Sequence, residues 1–388
     1  MIIYFSIVLV FLSLIYSAFM FWCLAGWNKL KKVHPLPDNF TTFVSVIVPA
    51  RNEEKNISTC LSDILLQHYP AHLVEIIVVD DYSTDRTAAM VQNTIEKFPN
   101  RKIRLLSNDE KNGTLYKKQA ITAAIQQANG ELIITTDADC RMSERWIETI
   151  ISHYEEERPD MIAGPVCFHE EKTILERMQS LEFMGLVGIG AGSISNHSPV
   201  MCSGANLAYT KKIFQQVNGF SGQPEMASGD DTQLLMKVAA KNASGIHFLK
   251  SFDAIVYTRA ISSVQELYHQ RKRWASKIPF GMNAFTVFTA AAAYFLHAGL
   301  LILVFVSIFN HEFIPSFLFI FSLKCISEYL LINQVSSFFR KKEIRWLFLP
   351  AQLFYMVYVC LIGAVSVFGS YTWKERKVKS TAVKLPAA

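Results

Sequence analysis

The sequence predicts an α/β domain built on a mostly parallel sheet, with transmembrane helices at the N-terminal and C-terminal ends of the chain. Three observations support this prediction. Hydrophobic residues make up 51% of the 388 residues and aromatic residues 12%, which is rich for a purely soluble protein. Both ends of the chain contain long stretches without charge, as membrane-spanning helices do. Between them, short β-branched runs alternate with segments of helical spacing, as in a parallel α/β sheet.

Residues 1–28 predict an N-terminal transmembrane helix. No residue in this stretch is charged, and it is longer than the roughly 20 apolar residues that a spanning helix needs. A secretory signal peptide would carry positive charge before its apolar stretch, whereas Lys29, Lys31 and Lys32 follow this one. By the positive-inside rule, we expect an anchor whose N-terminus lies outside, with a cytoplasmic domain after it.

Residues 41–275 have the composition of a globular domain. Short β-branched runs begin roughly every 30 residues, which is the length of one βαβ unit. These runs occupy residues 44–48, 74–79, 103–106 and 132–136. Strands of a parallel sheet are buried on both faces, and ligands bind beyond their carboxyl ends. Functional residues are therefore expected directly after these runs.

The chain is apolar again after Lys277 and has no Asp, Glu, Lys or Arg before Glu312. We interpret residues 278–372 as a C-terminal membrane region, made of an interfacial helix and two or three transmembrane segments. Residues 373–388 then form a basic tail. A multi-pass protein of the cell (inner) membrane is the expected arrangement.

Charged residues constrain how this membrane region is arranged. Basic clusters at 340–342 and 374–379 both favour the cytoplasm, although a single apolar segment separates them. Either that segment does not cross the membrane or the C-terminus lies outside, and the sequence leaves both open. Lys324 and Glu328 are four residues apart and so share one helix face. We expect them to form a structural pair, with a functional role as the alternative.

The charge balance and the cysteines limit the classes of partner. The net charge of +5 is mild, and basic residues beside apolar runs indicate a membrane surface rather than nucleic acid. The seven cysteines include no CxxC pair and no metal-ligand spacing. An odd number of scattered cysteines argues against a disulfide framework and fits a reducing cytosol.

Acidic residues follow the second and fourth runs. Asp80 and Asp81 end the second run, where carboxylates are costly unless they bind a ligand; Asp85, four residues on, is as well explained as a helix cap. Asp137 and Asp139 follow the fourth run. Alternation along an extended backbone points residues i and i+2 to the same side, so both carboxylates can face one cation. Such oxygen ligands suit Mg²⁺ or Mn²⁺ held together with phosphate oxygens.

Each of two further motifs has both a structural and a functional interpretation. Asp230 and Asp231 precede a segment of helical spacing, where an aspartate caps the helix. A carboxylate there is also well placed to act as a general base, and Asp231 is our candidate. Residues 270–274 read QRKRW. They are a positive-inside signal, or Arg273 neutralises a diphosphate while Trp274 stacks on a sugar, and composition does not decide between these.

The ordered series of motifs resembles family 2 glycosyltransferases, in particular the membrane-integrated branch of cellulose, chitin, hyaluronan and poly-N-acetylglucosamine synthases. The motifs lie between residues 44 and 274 and read, in the family's order, VPARNE at 48–53, DDYSTD at 80–85, Lys117 to Ala120, DADC at 137–140, SGA at 203–205, GDD at 229–231 and QRKRW at 270–274.

The resemblance implies a GT-A fold, which is Rossmann-like, and an inverting transfer from a UDP-sugar that depends on Mg²⁺ or Mn²⁺. It assigns donor binding to Glu53, Asp81, Lys117 and Asp137, the metal to Asp137 and Asp139, catalysis to Asp231, and the acceptor and diphosphate end to Gln270, Arg273 and Trp274. The implied function is synthesis of a cell-envelope or extracellular polysaccharide on a glycan or lipid-linked acceptor, with membrane lipids but no nucleic acid as partners.

Three departures from the family pattern leave alternatives open. Gly229-Asp230-Asp231 replaces the usual Thr-Glu-Asp, and Tyr82 stands where a small residue is common. One N-terminal and about three C-terminal segments are few for a polysaccharide channel in one chain. Transfer of a single sugar to a membrane lipid is therefore the main alternative function. A non-enzymatic alternative is a membrane scaffold without catalytic activity.

Overall fold

The computed structural model describes residues 2–33, 40–107, 117–221, 230–275, 284–366, 370–373 and 376–379. The chain forms two compact units. The sheet unit consists of residues 28–170 and 193–259. The helical unit consists of residues 1–27, 171–192 and 260–388.

The strands of the described residues are β1 (Val44–Ala50), β2 (Val74–Asp80), β3 (Lys102–Ser107), β4 (Leu132–Thr135), β5 (Arg141–Met142), β6 (Met161–Ala163), β7 (Val166–His169), β8 (Leu207–Thr210), β9 (Ile246–Phe248), β10 (Val256–Arg259), β11 (Ser370–Trp373) and β12 (Arg376–Lys379). The α-helices are α1 (Ile2–Lys29), α2 (Ile57–Leu65), α3 (Thr87–Lys97), α4 (Lys117–Gln127), α5 (Trp146–Glu157), α6 (Ile174–Ser195), α7 (Lys211–Gln216), α8 (Asp230–Asn242), α9 (Val264–Ala275), α10 (Ala284–Phe309), α11 (Ile314–Phe338) and α12 (Phe348–Ser366).

The sheet unit contains a seven-stranded sheet in the order β3-β2-β1-β4-β8-β6-β9. The four runs predicted as strands are β1 to β4, and β1 pairs in parallel with both β2 and β4. Strand β8 runs antiparallel to β4 and β6, so the sheet is mixed at this side. Because β1, β2 and β4 are buried along almost their whole length, their Val and Ile side chains form the core under the site. The predicted fold class is confirmed.

The helical unit contains four helices that are long and apolar enough to cross a membrane. The candidate spans are Tyr4–Lys29, Ala284–Phe309, His311–Phe338 and Lys342–Val365. The first agrees with the anchor expected at 1–28, and the last two agree with the expected C-terminal segments. The interfacial helix was expected directly after Lys277, and residues 276–283 lie outside the part of the chain that the structure describes.

Two segments of the domain expected at 41–275 group with the helical unit. Residues 171–192 and 260–275 belong to the helical unit, because their side chains pack there. The Tyr355 hydroxyl of α12 donates to the Met178 carbonyl of α6 at 2.9 Å. The Gln179 side chain bonds both backbone groups of Ile261. Charge composition placed the predicted boundary, and it does not report such contacts.

A buried polar network connects the four long helices. Lys324 Nζ lies 2.8 Å from Glu328 Oε1 on α11, and Lys324 also donates to Gln352 of α12. The Tyr16 hydroxyl of α1 donates to Glu328 at 2.5 Å. The His297 ring of α10 lies edge-on to Tyr16, with 6.4 Å between ring centres. The pair expected from sequence is therefore formed and buried, and its partners fix the register of the helices.

Replacing one partner of this network should destabilise the helical unit more than replacing both. Lys324→Met leaves the buried Glu328 carboxylate without its cation, which costs about 3–5 kcal/mol. Lys324→Met/Glu328→Gln removes both charges and keeps an acceptor for Tyr16, so it should regain at least half of the loss. Thermal unfolding of the purified chain in detergent measures both variants. Lys342→Met, at an exposed lysine, is the control; equal losses for the single and double variants would contradict a paired network.

Contacts at both ends of α12 bear on the side of the C-terminus. Before α12, Lys341 forms an ion pair with Glu171, next to α6. After α12, strand β11 packs on α9. Both α6 and α9 are continuous in sequence with the sheet unit, which the positive-inside rule assigns to the cytoplasm. Of the two arrangements that the sequence leaves open, these contacts favour an α12 that does not cross.

We therefore expect the C-terminus to lie in the cytoplasm. Green fluorescent protein fused after residue 388 should fluoresce, and alkaline phosphatase fused at the same place should be inactive. Fusions after Asn310, between α10 and α11, should give the reverse pattern and serve as the control. Active phosphatase at the C-terminus would instead mean that α12 crosses the membrane.

Candidate active site

The first acidic cluster lies at the carboxyl end of β2. Asp80 and Asp81 are buried, with 8% and 3% of their surface exposed. The Asp81 N–H donates to the Ala50 carbonyl at 2.8 Å, which extends the pairing of β1 and β2 by one residue. Asp80 Oδ1 has no hydrogen-bond partner among the described residues. A buried carboxylate oxygen without a partner needs an explanation, and a bound ligand or water would supply the missing donor.

The loops after β1 and β2 are joined by hydrogen bonds. The Asn52 N–H donates to Ser83 Oγ at 3.0 Å, and the Thr84 N–H donates back to Asn52 Oδ1 at 2.8 Å. The Glu53 N–H donates to Thr87 Oγ1 at 2.7 Å. Glu53 and the acidic cluster are thus held at one corner of the sheet.

Asp85 acts in this corner as a structural residue. Its Oδ1 accepts from both the hydroxyl and the N–H of Thr87, at 2.5 and 3.0 Å. Burial works to raise the pKa of Asp85, but these hydrogen bonds outweigh it and the pKa is lowered. The capping role considered for Asp85 therefore agrees with the structure.

Asp137 and Asp139 lie in the loop directly after β4. Asp137 is half-buried and Asp139 is exposed. Asp139 Oδ2 accepts from Thr258 Oγ1 at 3.3 Å, and Asp139 Oδ1 accepts from Cys140 Sγ at 3.8 Å. Burial first, and the Asp139 and Asp137 charges next, raise the pKa of Cys140 well above that of an ordinary thiol. Cys140 is therefore a neutral thiol beside the carboxylates.

The donor chemistry of this loop fits a hard divalent cation. The described residues contain no group of three or more His, Cys, Asp and Glu side chains arranged to hold a metal. A cation at Asp137 and Asp139 would need oxygens from elsewhere. Mg²⁺ and Mn²⁺ bind in this way, through one or two carboxylates completed by phosphate oxygens and water. The residues present thus fit a cation that binds together with a diphosphate.

Asp231 stands at the start of α8 and is connected to the end of β4. Its Oδ2 accepts from the Gly204 N–H at 3.0 Å, and its Oδ1 accepts from the Thr232 N–H at 2.7 Å. The Gly204 carbonyl in turn accepts from Thr135 Oγ1 at 3.0 Å. An added Cβ at Gly204 would lie 3.3 Å from Asp231 Cβ, so a larger residue there would push Asp231 by a few tenths of an ångström. The side chain of Asp230 lies outside the described residues.

A buried lysine near Asp231 was missed by the sequence analysis. Lys118 of α4 is 7% exposed and its Nζ donates to Gln233 Oε1 of α8 at 2.6 Å. The side chain of Lys117, the predicted donor residue, lies outside the described residues. A signal for Lys118 was present, because it shares helical spacing with Ile121 and Ile125, which are both buried. Periodicity alone would have placed it on the inner face of α4.

The predicted residues Gln270, Arg273 and Trp274 lie on α9, in the helical unit. Trp274 already has a cation on one face, because the Arg271 guanidinium lies 4.3 Å from its ring centre. Arg271 is 3% exposed and pairs with Glu182 of α6 at 2.7 Å. The QRKRW segment therefore contains a structural arginine beside the three predicted residues.

Two family profiles match this chain. Residues 132–373, more than half of the chain, match the family described as Glycosyl transferase family group 2. The chain belongs to the family 2 glycosyltransferases. Residues 45–217 match a second profile, described as Glycosyl transferase family 2. The family and the enzyme class expected from the motifs are confirmed, while the narrower synthase branch is not decided by these matches.

Three relatives illustrate the similarity. A Bacillus subtilis protein named as a probable glycosyltransferase, YdaM, is 26% identical over 235 residues, which are 60% of this chain and 54% of that protein. The glycosyltransferase AglE of Haloferax volcanii is 32% identical over 191 residues, 49% of this chain and 59% of AglE. The chain thus spans little more than half the length of these curated relatives.

The third relative is a solved structure, the mannosyltransferase PcManGT from Pyrobaculum calidifontis in complex with GDP-Man and Mn²⁺. The similarity covers 93% of this chain and 98% of that one, with a TM-score of 0.58 and 18% identity. At this identity the likeness concerns the fold, and it supports the GT-A assignment.

Proposed function

We propose that this glycosyltransferase moves a sugar from a UDP-sugar to a glycan acceptor at the cell (inner) membrane, with inversion, for synthesis of a cell-envelope or extracellular polysaccharide. The observation that carries the proposal is the gathering of acidic residues at one edge of the sheet. Asp81 and Asp139 follow β2 and β4, and Asp231 lies in the first turn of α8, where it accepts from the Gly204 N–H beside the end of β4. The four long apolar helices supply the membrane part of the proposal.

The donor is proposed to bind across the ends of β1, β2 and β4. Glu53 and Asp81 would contact the nucleoside, and Lys117 and Asp137 the diphosphate. The unpartnered Asp80 Oδ1 offers one more acceptor at the same place. PcManGT, of the same fold, holds a guanosine donor, so binding of UDP and GDP should be compared directly.

Asp137 and Asp139 are proposed to hold Mg²⁺ or Mn²⁺. When bound, such an ion offsets the charge that grows on the departing diphosphate. The protein's part is to hold the loop that carries both carboxylates at the end of β4, next to the donor. The Thr258 hydroxyl on Asp139 Oδ2 contributes to this positioning.

Asp231 is proposed as the general base. It takes the proton of the acceptor hydroxyl while that oxygen forms a bond to the anomeric carbon and the bond to the diphosphate oxygen breaks on the opposite face. The N–H groups of Gly204 and Thr232 hold one orientation of the carboxylate. Each carboxylate oxygen keeps a further lone pair for the acceptor.

Gln270, Arg273 and Trp274 are proposed to line the acceptor and diphosphate end of the site. All three residues lie on α9, which ends at Ala275. The candidate membrane span α10 begins soon after it in the sequence, at Ala284. An acceptor at the membrane surface, together with membrane lipids, fits this order of elements. No feature of the chain calls for nucleic acid.

A second candidate is transfer of one sugar to a membrane lipid. Four candidate spans are few for a polysaccharide channel built from one chain, which favours this alternative. Membranes that contain the chain should be incubated with a panel of labelled UDP-sugars. A long polymer supports the first function and a single-sugar lipid the second. A chain that releases no UDP with any sugar of the panel contradicts both.

Asp231→Asn should abolish transfer and spare donor binding. General-base catalysis contributes about 100- to 10,000-fold, so turnover should fall by that factor. The affinity for UDP should stay within about twofold, because the carboxamide keeps an acceptor for Gly204. UDP release measures turnover, and calorimetric titration measures affinity. Asp160→Asn, at a residue bonded to Asn242, is the matched control. Full turnover of Asp231→Asn would remove the base assignment.

Gly204→Ala should lower turnover with little effect on stability. The added Cβ would lie 3.3 Å from Asp231 Cβ, so the base must shift by a few tenths of an ångström. Misplacement of this size should cost about 3- to 10-fold in kcat, with an unchanged KM for the donor. Gly185→Ala is the control, because its nearest neighbour lies at 3.9 Å. An unchanged kcat would mean that the position of Asp231 is not critical.

A further inference from the structure

Side chains on one face of α2 and in the turn after it form hydrogen bonds with the loop that carries the metal carboxylates. Cys60 Sγ donates to the Asp137 carbonyl at 3.6 Å. Gln67 Nε2 donates to the Ser143 carbonyl at 2.6 Å, and Gln67 Oε1 accepts from the Ile147 N–H at 2.8 Å. These two side chains, seven residues apart, contact the beginning and the end of the loop. Asp63 lies between them on the same helical face.

Asp63 makes the strongest of these contacts. Its Oδ2 accepts from Arg141 Nε at 2.6 Å and from the Met142 N–H at 3.2 Å, and its Oδ1 accepts from Arg141 Nη2 at 3.0 Å. The pair is bidentate and charge-assisted, which is the geometry that gives both strength and a fixed direction. The Asp63 side chain is 12% exposed and that of Arg141 is 48% exposed, so Asp63 is the better shielded partner. Arg141 follows Asp139 by two residues.

The loop is held from the opposite direction by β10. Residues Arg141 and Met142 form β5, which pairs with Tyr257 and Val256 of β10. The next residue of β10, Thr258, donates to Asp139 Oδ2 at 3.3 Å. The backbone after Asp139 is thus fixed between Asp63 on one side and β10 on the other. The Asp139 carboxylate therefore has little freedom to change its orientation.

We propose that Asp63 is a positioning residue for the metal carboxylates Asp137 and Asp139. It acts through Arg141 and the Met142 N–H, and it touches neither donor nor metal. The inference rests on the metal role proposed for Asp137 and Asp139. Asp63 belongs to none of the motifs that identify the family, and its position in this chain is what assigns the role.

Asp63→Asn is the sharpest change for a test. The Arg141 guanidinium has donors and no acceptor, so an amide NH₂ facing it in place of an oxygen breaks one arm of the clamp. The side-chain size is unchanged, and Cys60 and Gln67 keep their contacts. The backbone at 141–142 is then less restrained, and the cation site loses preorganisation. Outer contacts of this kind contribute about 10- to 100-fold to metal affinity.

The experiment measures Mn²⁺ binding by the full chain in detergent, from the electron paramagnetic resonance signal of free Mn²⁺ in the presence of UDP. Asp63→Asn should bind Mn²⁺ about 10-fold more weakly than wild type. Its affinity for UDP in EDTA should be unchanged. Asp160→Asn is the matched control, because it makes the same change of side chain outside this loop, where Asp160 accepts from Asn242 Nδ2 at 2.8 Å. It should bind Mn²⁺ like wild type.

Three further variants separate the possible failures. Asp139→Ala must lose Mn²⁺ binding; if it does not, the proposed metal role is wrong and the role of Asp63 falls with it. If Asp139→Ala loses Mn²⁺ while Asp63→Asn binds it within twofold of wild type, the positioning role alone is overturned. Thr258→Val removes the second support without touching α2 and should weaken Mn²⁺ binding several-fold. Should Asp63→Asn not fold, Arg141→Met breaks the same pair from its more exposed partner, and unchanged Mn²⁺ binding by that variant would overturn the proposal.

Discussion

The parallel pairing of β1 with both β2 and β4 is the interaction on which the site depends. Parallel strands in register end at the same edge, so residues far apart in sequence are delivered to one place. The Thr136 N–H continues this pairing by donating to the Ile47 carbonyl at 3.2 Å, directly before the metal loop. The acidic residues need no direct contact with one another. Asp81 and Asp139 occupy their places because β2 and β4 stop there, whereas Asp231 is held at the end of β4 by its hydrogen bond from the Gly204 N–H.

Much of this arrangement could be predicted from sequence because its signals are local. A run such as 74–79 is made of Val and Ile apart from Glu75, and such residues fit a strand buried on both faces. A carboxylate directly after such a run has few structural explanations, which is why the sequence pointed to Asp81 and Asp139 as candidates. The sequence motif already included Gly204. The reason for a glycine at this position, which is the closeness of Asp231, becomes clear only from the structure.

The supports of the site could not be predicted, because they join distant parts of the chain. Asp63 and Arg141 are 78 residues apart, and Thr258 and Asp139 are 119 apart. In the sequence alone, an isolated aspartate on an amphipathic helix is interpreted as a solvated surface residue. A threonine in a strand is explained by its β-propensity and suggests no further role. The grouping of α6 and α9 with the helical unit could not be predicted for the same reason, since it depends on contacts such as that of Arg271 with Glu182.

Glu328 and the proposed site residues are supported in different ways. Glu328 is buried between apolar helices, and its charge is matched by Lys324 and by the Tyr16 hydroxyl. At the edge of the sheet, Asp231 is held by backbone N–H groups and Asp139 by a hydroxyl and a thiol. Those groups orient a carboxylate without cancelling its charge. A neutral, well-directed environment is what a cation or an acceptor proton requires, and a matched one is what a membrane helix requires.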